Sequence, residues 1–182
     1  MVRIEFNRLR FLVVDDNDHM RQIVRTLLFG FGAREVWEAD DGAAGLEIFT
    51  KQRPDIVITD WDMPIFNGIE LIQMIRQPGA NPNPYAPIIM LTANTERTRV
   101  FAARDAGVTE FLAKPTSAKA LYSRILSIVL HLRSFIKTAT YFGPDRRRIH
   151  NAKYAGPERR KGSTAEVTEA SPTLSNKIKV DS

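Results

Sequence analysis

Short apolar segments alternate five times with helical patterns along the first 132 residues, and this alternation limits the possible folds more than any other feature. The short segments are rich in β-branched residues and end in polar or turn-forming residues, as buried strands do. Four of these segments lie at Leu9–Val14, Asp55–Thr59, Ile88–Leu91 and Glu110–Ala113; the fifth, Arg34–Glu38, instead alternates polar and apolar residues, which fits a strand with one face less deeply covered. Strict alternation predicts an α/β fold in which right-handed crossovers build a five-stranded parallel sheet with helices on both faces. Because ligands bind such sheets at the carboxyl ends of the strands, functional residues are expected directly after strands.

Glycines and hydroxyl residues mark the ends of the predicted helices. Gly30 and Gly32 are placed to close the first helix and Gly107 to close the fourth, because glycine adopts the left-handed turn that follows a helix. Thr116 or Ser117 is placed to cap the start of the fifth.

Acidic residues follow two of the predicted strands. Asp15 and Asp16 end the first strand, Asp60 ends the third, and Asp62 comes two residues later. Carboxylates gathered at one rim repel one another unless they share a cation, and carboxylate oxygens suit Mg²⁺. The chain has no cysteine and only three histidines, so oxygen ligands are the expected ones. Taken alone, Asp15 and Asp16 are explained equally well as solvated loop residues or helix caps.

The remaining strand ends carry a hydroxyl and an amine. Thr92 ends the fourth strand, and Lys114 follows the fifth. A hydroxyl can donate to a phosphoryl oxygen, and an ammonium neutralises charge that develops during phosphoryl transfer. Each residue alone is more often a capping threonine or a surface lysine, but together with the acidic rim they indicate phosphoryl chemistry.

Four short motifs carry a resemblance to a known family. LVVDDN at 12–17, ITDWDMP at 58–64, MLTA at 90–93 and FLAKP at 111–115 resemble the receiver domain of two-component response regulators, closest to its single-domain chemotaxis type. The resemblance covers residues 7–132, which are predicted to form the receiver domain. It implies a flavodoxin-like fold and a phosphorelay response regulator rather than an ordinary enzyme.

The resemblance also implies roles for the rim residues. Asp60 is the expected phosphoacceptor, taking its phosphoryl group from a sensor histidine kinase, a histidine phosphotransfer protein or a small donor such as acetyl phosphate. Asp60 and Asp16 are expected to bind Mg²⁺ directly, Asp15 through water, and Asp62 through its backbone carbonyl. Lys114 is expected to contact the phosphoryl group.

A switch is implied by the same resemblance. Thr92 is expected to contact the phosphoryl group, and its ordering is expected to be coupled to the position of the Phe111 ring. The new charge and hydrogen bonds of the phosphoryl group would then shift the domain between two conformational states. The domain is also expected to hydrolyse its own aspartyl phosphate. Phe111 lacks the hydroxyl of a tyrosine, and simple core packing is an equally good interpretation of that ring.

The side chain of Asp62 departs from the pattern of the family that the sequence resembles, at a position close to the phosphoacceptor. Coordination through its backbone carbonyl survives any side chain, but an extra negative charge near the phosphoryl group is expected to change the Mg²⁺ affinity or the lifetime of the aspartyl phosphate. Unchanged values in Asp62→Asn would contradict this expectation.

Basic charge is concentrated in residues 133–182. Residues 1–132 contain 15 basic and 16 acidic residues, whereas 133–182 contain 11 and 5. The fifth helix is predicted to continue through Phe135–Ile136 and the pattern breaks at Gly143–Pro144; residues 163–182 are predicted to be disordered. The extension as a whole is therefore predicted to be largely irregular and to bind a partner of its own.

A repeat lies inside this extension. The pattern Y-x-G-P-[D/E]-R-R occurs twice, 13 residues apart. Aromatic rings beside paired arginines suit docking on acidic protein or nucleic-acid surfaces, although a solvated basic linker has a similar composition. The candidate partner-binding residues are Tyr141, Arg146, Arg147, Tyr154, Arg159 and Arg160.

Two other function classes stay open at this point. A nucleic-acid-binding regulator would use 141–161 as a basic arm, and its affinity would fall steeply with salt. An aspartyl-phosphate phosphatase of the haloacid dehalogenase type would use Asp60-Trp61-Asp62 as its D-x-D motif, but that motif belongs on a first strand.

Location and partners are expectations of the same kind. No apolar run approaches the roughly 18–20 residues that cross a bilayer, and the first residues lack a signal-peptide pattern, so a cytoplasmic protein without membrane insertion is expected. The output partner is left open. Dimerisation through the fourth and fifth helices is common in the family that the sequence resembles, and the oligomeric state is left open as well.

Overall fold

Five parallel strands and five helices form the receiver part of the chain. The computed structural model describes residues 4–93, 97–145, 166–168 and 174. The strands are β1 (Arg10–Val14), β2 (Glu35–Ala39), β3 (Ile56–Asp60), β4 (Ile88–Thr92) and β5 (Glu110–Ala113). The helices are α1 (Asp18–Gly30), α2 (Gly42–Gln52), α3 (Gly68–Ile75), α4 (Arg97–Ala106) and α5 (Ala118–Leu130). The order β2-β1-β3-β4-β5 and the parallel pairing confirm the predicted fold class.

Each central strand contributes side chains to two cores. Along β1, Phe11 and Val13 join one core with residues of α1 and α5. Leu12 and Val14 join the other with residues of α2, α3 and α4. Because successive side chains of a strand point to opposite faces, burial on both faces requires the nearly continuous apolar sequence that predicted these strands.

The helix ends follow local hydrogen-bonding rules. Asn17, Asp41 and Asn67 each accept a hydrogen bond from a backbone N–H in the first turn of α1, α2 and α3. Ser117 rather than Thr116 caps α5. Gly32 and Gly107 have positive φ angles of 103° and 104°, and confirm the predicted ends of α1 and α4.

The prediction for the end of α5 is wrong. Helix α5 ends at Leu130, and Phe135–Ile136 belong to a strand, β6 (Phe135–Lys137). A short apolar pair at this spacing fits either a helix or a strand, and tertiary packing decides. Strands β7 (Phe142–Pro144) and β8 (Glu166–Thr168) pair antiparallel with β6 in the order β7-β6-β8.

Part of the region predicted to be disordered is also structured. Residues 166–168 form β8, and Leu174 is fully buried with the α1/α5 core. The prediction is therefore wrong for these residues, and the rest of 163–182 lies outside the described residues.

The β6–β7 strand pair packs against the end of the sheet opposite the acidic rim. The Phe135 ring lies 5.0 Å from the Tyr85 ring and 5.6 Å from the Phe142 ring, measured between centroids. The guanidinium of Arg76 lies 5.1 Å from the Phe135 centroid and donates to the carbonyls of Pro84, Ala86 and Gly107. Burial lowers the pKa of Arg76 to about 9, which still leaves the group charged at neutral pH.

None of the helices in the described part of the chain has both the length and the apolar character needed to cross a membrane.

Candidate functional site

Three side chains meet where β1, β3 and β5 end. The Lys114 ammonium lies 2.8 Å from Asp15 Oδ2 and 2.9 Å from Asp60 Oδ1. The backbone N–H of Asn17 donates to Asp15 Oδ1, and that of Trp61 donates to Asp60 Oδ1. Both carboxylates are buried. The structure therefore brings together the predicted phosphoacceptor, one predicted acidic neighbour and the predicted lysine.

The sheet register produces this meeting. Val14 pairs with Thr59, so Asp15 and Asp60 follow at the same level of neighbouring strands. Lys114 is held one residue beyond β5 by its N–H, which donates to the carbonyl of Thr92 at 2.9 Å. Parallel strands bring their carboxyl ends to one edge, so residues far apart in sequence converge there.

Gly68 fixes how closely α3 approaches the site. A Cβ atom at this position would lie 2.0 Å from the carbonyl oxygen of Asp60. The Gly68 N–H instead donates to the carbonyl of Trp61 at 3.1 Å. Only glycine allows this approach between the start of α3 and the backbone of the phosphoacceptor candidate.

The electrostatics of the site favour a protonated lysine between the two carboxylates. Burial raises the pKa of Asp60, and the negative charge of Asp15 raises it further, while Lys114 and the Trp61 N–H act in the opposite direction. Burial alone would lower the pKa of Lys114, but the hydrogen bonds and charges of Asp15 and Asp60 outweigh it and hold that pKa above its usual value. Lys114 therefore stays protonated at neutral pH.

The acidic group fits a hard metal ion. One oxygen from each of Asp15, Asp16 and Asp60 can be chosen so that all three lie within 4.8 Å of one another. Asp16 is exposed, whereas the other two are buried. Three negative charges face the single positive charge of Lys114, and an oxygen-only donor set with excess negative charge suits Mg²⁺.

Thr92 and Phe111 lie on the neighbouring strands β4 and β5. Thr92 is the buried last residue of β4. Phe111 pairs in register with Met90 and packs, half-buried, against the α2/α3/α4 core. This packing matches the core interpretation of the ring and leaves its switching role a prediction.

The carboxylate of Asp62 is bound by a residue of α4. Its two oxygens accept from Arg99 at 3.0 and 2.6 Å. The Arg99 hydrogen bond holds the pKa of Asp62 below its usual range. The D-x-D motif Asp60-Trp61-Asp62 begins at the end of β3 and not on the first strand, so its position does not suit the phosphatase alternative.

Two residues at the site, and the close approach of a third, were missed by sequence reasoning. Arg99 lies in the first turn of α4, and Arg21 donates to the backbone carbonyl of Asp15 at 2.7 Å. Nothing in their local sequence distinguishes these arginines from solvated helix residues. The close approach of Gly68 was detectable only as a glycine directly before an apolar helix pattern.

The predicted tail residues are only partly described. Tyr141 is half-buried, and its hydroxyl donates to the carbonyl of Pro144 at 2.8 Å. The other five predicted partner-binding residues lie outside the described residues: Arg146, Arg147, Tyr154, Arg159 and Arg160.

Comparison with known families agrees with this geometry. The family model described as the response regulator receiver domain matches residues 11–126. A chemotaxis protein CheY-3 of Vibrio cholerae is 37% identical over 117 residues, covering 64% of this chain and 88% of that protein. A chemotaxis protein CheY of Pseudomonas aeruginosa is 34% identical over 120 residues, covering 66% of this chain and 95% of that protein.

Solved structures give the same result. The crystal structure of chemotaxis protein CheY4 of Vibrio cholerae matches with a TM-score of 0.62 and 31% identity, covering 66% of this chain and 98% of the other. A putative response regulator from Chloroflexus aurantiacus matches with a TM-score of 0.60 and 33% identity, covering 66% and 96%.

Proposed function

The chain belongs to the family of response regulator receiver domains, and from this premise we propose that Asp60 is its phosphoacceptor. Receiver domains interact with histidine kinases or phosphotransfer proteins, and they also interact with output proteins. One observation carries the assignment to Asp60: this buried carboxylate ends β3 with the Lys114 ammonium 2.9 Å from one oxygen and two further aspartates at metal-binding distance.

The reaction follows from the positions of these groups. A carboxylate oxygen of Asp60 attacks the phosphorus of a phosphohistidine, the P–N bond breaks, and the electron pair leaves with the imidazole nitrogen. Lys114 offsets the negative charge of the phosphoryl oxygens during transfer. The Trp61 N–H orients the carboxylate through Oδ1. Hydrolysis of the product returns the carboxylate when water attacks the same phosphorus atom and inorganic phosphate leaves.

Mg²⁺ is the proposed cofactor. Asp16 and Asp60 would hold it directly, Asp15 through water, and the carbonyl of Asp62 would complete the protein's share. When bound, the ion neutralises charge on the carboxylates and on the transferred phosphoryl group.

Signalling is proposed to pass through Thr92 and Phe111. The hydroxyl of Thr92 donates to the new phosphoryl group, and Phe111 repacks beside the same strand end. The changed face, formed by α4, β5 and α5, then binds an output protein or a second copy of the chain.

Intact-mass measurement after incubation with acetyl phosphate tests the proposal. We expect one phosphoryl adduct in the wild type that requires Mg²⁺ and is absent in Asp60→Asn. Asp105→Asn is the matched control, because Asp105 is an exposed aspartate near the end of α4 that pairs with Arg104. An adduct that persists in Asp60→Asn would show that another residue accepts the phosphoryl group.

A further inference from the structure

A salt bridge beside the phosphoacceptor joins the loop after β3 to α4. The guanidinium of Arg99 donates from Nη1 to Asp62 Oδ2 at 3.0 Å and from Nη2 to Asp62 Oδ1 at 2.6 Å. The same guanidinium lies 4.7 Å from the centroid of the Trp61 indole. One side chain of α4 therefore holds both residues that directly follow Asp60.

The geometry is too specific for a loose surface ion pair. Two parallel hydrogen bonds fix the carboxylate plane against the guanidinium, and the flat face of the same group stacks on an aromatic ring. The side chains are 30% and 60% exposed, so the pair adds little to folding stability. Its main effects are therefore on the position and the local charge of the β3–α3 loop.

Charge is the quantity that this contact controls at the rim. Asp15, Asp16 and Asp60 already exceed the positive charge of Lys114. Asp62 would add a fourth negative charge two residues from Asp60. Arg99 supplies the matching positive charge from a helix that contributes no other described group to the site.

We propose that Arg99 is a positioning residue for phosphoryl transfer, which neutralises the Asp62 carboxylate, fixes it on α4 and holds Trp61 beside it. The proposal rests on the proposed function, because it assigns a role at the same site. In this role Arg99 reduces the repulsion that an anionic phosphodonor meets at the rim. It also limits the affinity of the rim for Mg²⁺, which an uncompensated Asp62 would raise.

A charge cycle tests this role. The variants are Arg99→Met, Asp62→Asn and the combination of both, with Arg104→Met as the control. Arg104 lies on the same helix and also stacks on a ring, that of Phe101, away from the rim. Mg²⁺ affinity is measured by calorimetry, and the initial rate of acetyl phosphate labelling by intact mass.

The expected results differ in sign between the two single variants. Arg99→Met should tighten Mg²⁺ binding about three- to fivefold, the size expected for one added charge acting through solvent. It should slow labelling at saturating Mg²⁺ by a similar factor. Asp62→Asn should weaken Mg²⁺ binding, and the double variant should return close to the wild type in both measurements. Arg104→Met should change neither.

A structural role for Arg99 would give a different pattern. If Arg99 only anchors α4, the double variant stays as impaired as Arg99→Met, and this lack of rescue would overturn the proposal. The proposal is also overturned if Arg99→Met and Asp62→Asn change the Mg²⁺ affinity in the same direction, because the two residues then do not contribute opposing charges to the rim.

Trp61 fluorescence gives a readout that needs neither metal nor phosphoryl donor. In a Trp37→Phe background Trp61 is the only indole, and in EDTA its emission should change in Arg99→Met but not in Arg104→Met. An unchanged emission would show that the guanidinium does not stack on the ring. If the wild type forms no phosphoryl adduct, the proposed function fails, while the Mg²⁺ and fluorescence cycles still decide whether Arg99 neutralises Asp62.

Discussion

Replacing Phe135 by alanine tests whether the C-terminal extension is part of the folded domain. The Phe135 side chain is 4% exposed and lies among the Tyr85 ring, the Phe142 ring and the guanidinium of Arg76. Alanine would remove all three contacts and leave the buried cation without the ring that covers it.

The expected loss follows from burial and from the cation. Truncating a buried phenylalanine to alanine typically costs about 3–5 kcal/mol, which includes the cavity left behind. We take about 3 kcal/mol, because the site lies in a three-stranded sheet at the edge of the domain and can partly collapse. With a urea dependence of about 2 kcal/mol per molar for a domain of this size, the midpoint should fall by about 1.5 M.

Urea unfolding followed by tryptophan fluorescence measures this shift, because Trp37 and Trp61 both lie in the receiver part and not in the extension. Phe101→Ala is the matched control, since Phe101 is 49% exposed on α4. Its midpoint should move by a small fraction of the Phe135→Ala shift. Equal shifts in the two variants would refute the docking of β6 on the receiver domain.

The remaining predictions concern the rim. Gly68→Ala should slow acetyl phosphate labelling and lower the melting temperature, because the new Cβ would lie 2.0 Å from the carbonyl oxygen of Asp60. Gly30→Ala is the control and should leave labelling unchanged, because there is open space around its new Cβ. Lys114→Met should slow labelling by about 10²-fold, the effect of losing one group that stabilises transition-state charge, while Mg²⁺ binding measured by calorimetry is retained or tightened. Asp60→Asn should raise the melting temperature in EDTA at neutral pH. Burial raises the pKa of Asp60 in the folded state, so Asp60 contributes to folding stability only in acid, and this contribution is lost as pH rises through that pKa. The gain in melting temperature of Asp60→Asn should therefore shrink on acidification. A gain that stays constant across pH would contradict this origin.

Periodicity predicted the receiver fold because its central strands are buried on both faces. A strand such as β3, with every residue buried, must be almost wholly apolar, and this leaves a pattern that can be recognised without the structure. The rim followed from topology alone, since parallel strands end at one edge. Asp15, Asp60 and Lys114 therefore meet as their sequence positions predicted.

Contacts made by single side chains across elements were not predictable in this way. Arg99 and Asp62 are 37 residues apart. The motif around Asp60 drew attention to Asp62, but Arg99 does not differ in pattern from other exposed charged residues. Arg76 is similar: it follows α3, where an arginine is usually solvated, yet it is buried and donates to three carbonyls. Its burial depends on β6, whose Phe135 carries a periodicity that fits a longer α5 equally well.

The first copy of the tail repeat shows that its parts have separate roles. Tyr141 donates its hydroxyl to the carbonyl of Pro144, and a Cβ on Gly143 would lie 2.6 Å from that hydroxyl and 3.2 Å from Cα of Gly107. The Y-x-G-P half of the repeat is therefore used to form β7 and to pack it against the turn after α4. A ring engaged in this way is not displayed for stacking on a partner, so the aromatic half of the sequence hypothesis loses support at Tyr141. A partner-binding role for the repeat therefore rests on the charge of its arginine pairs, which lie outside the described residues.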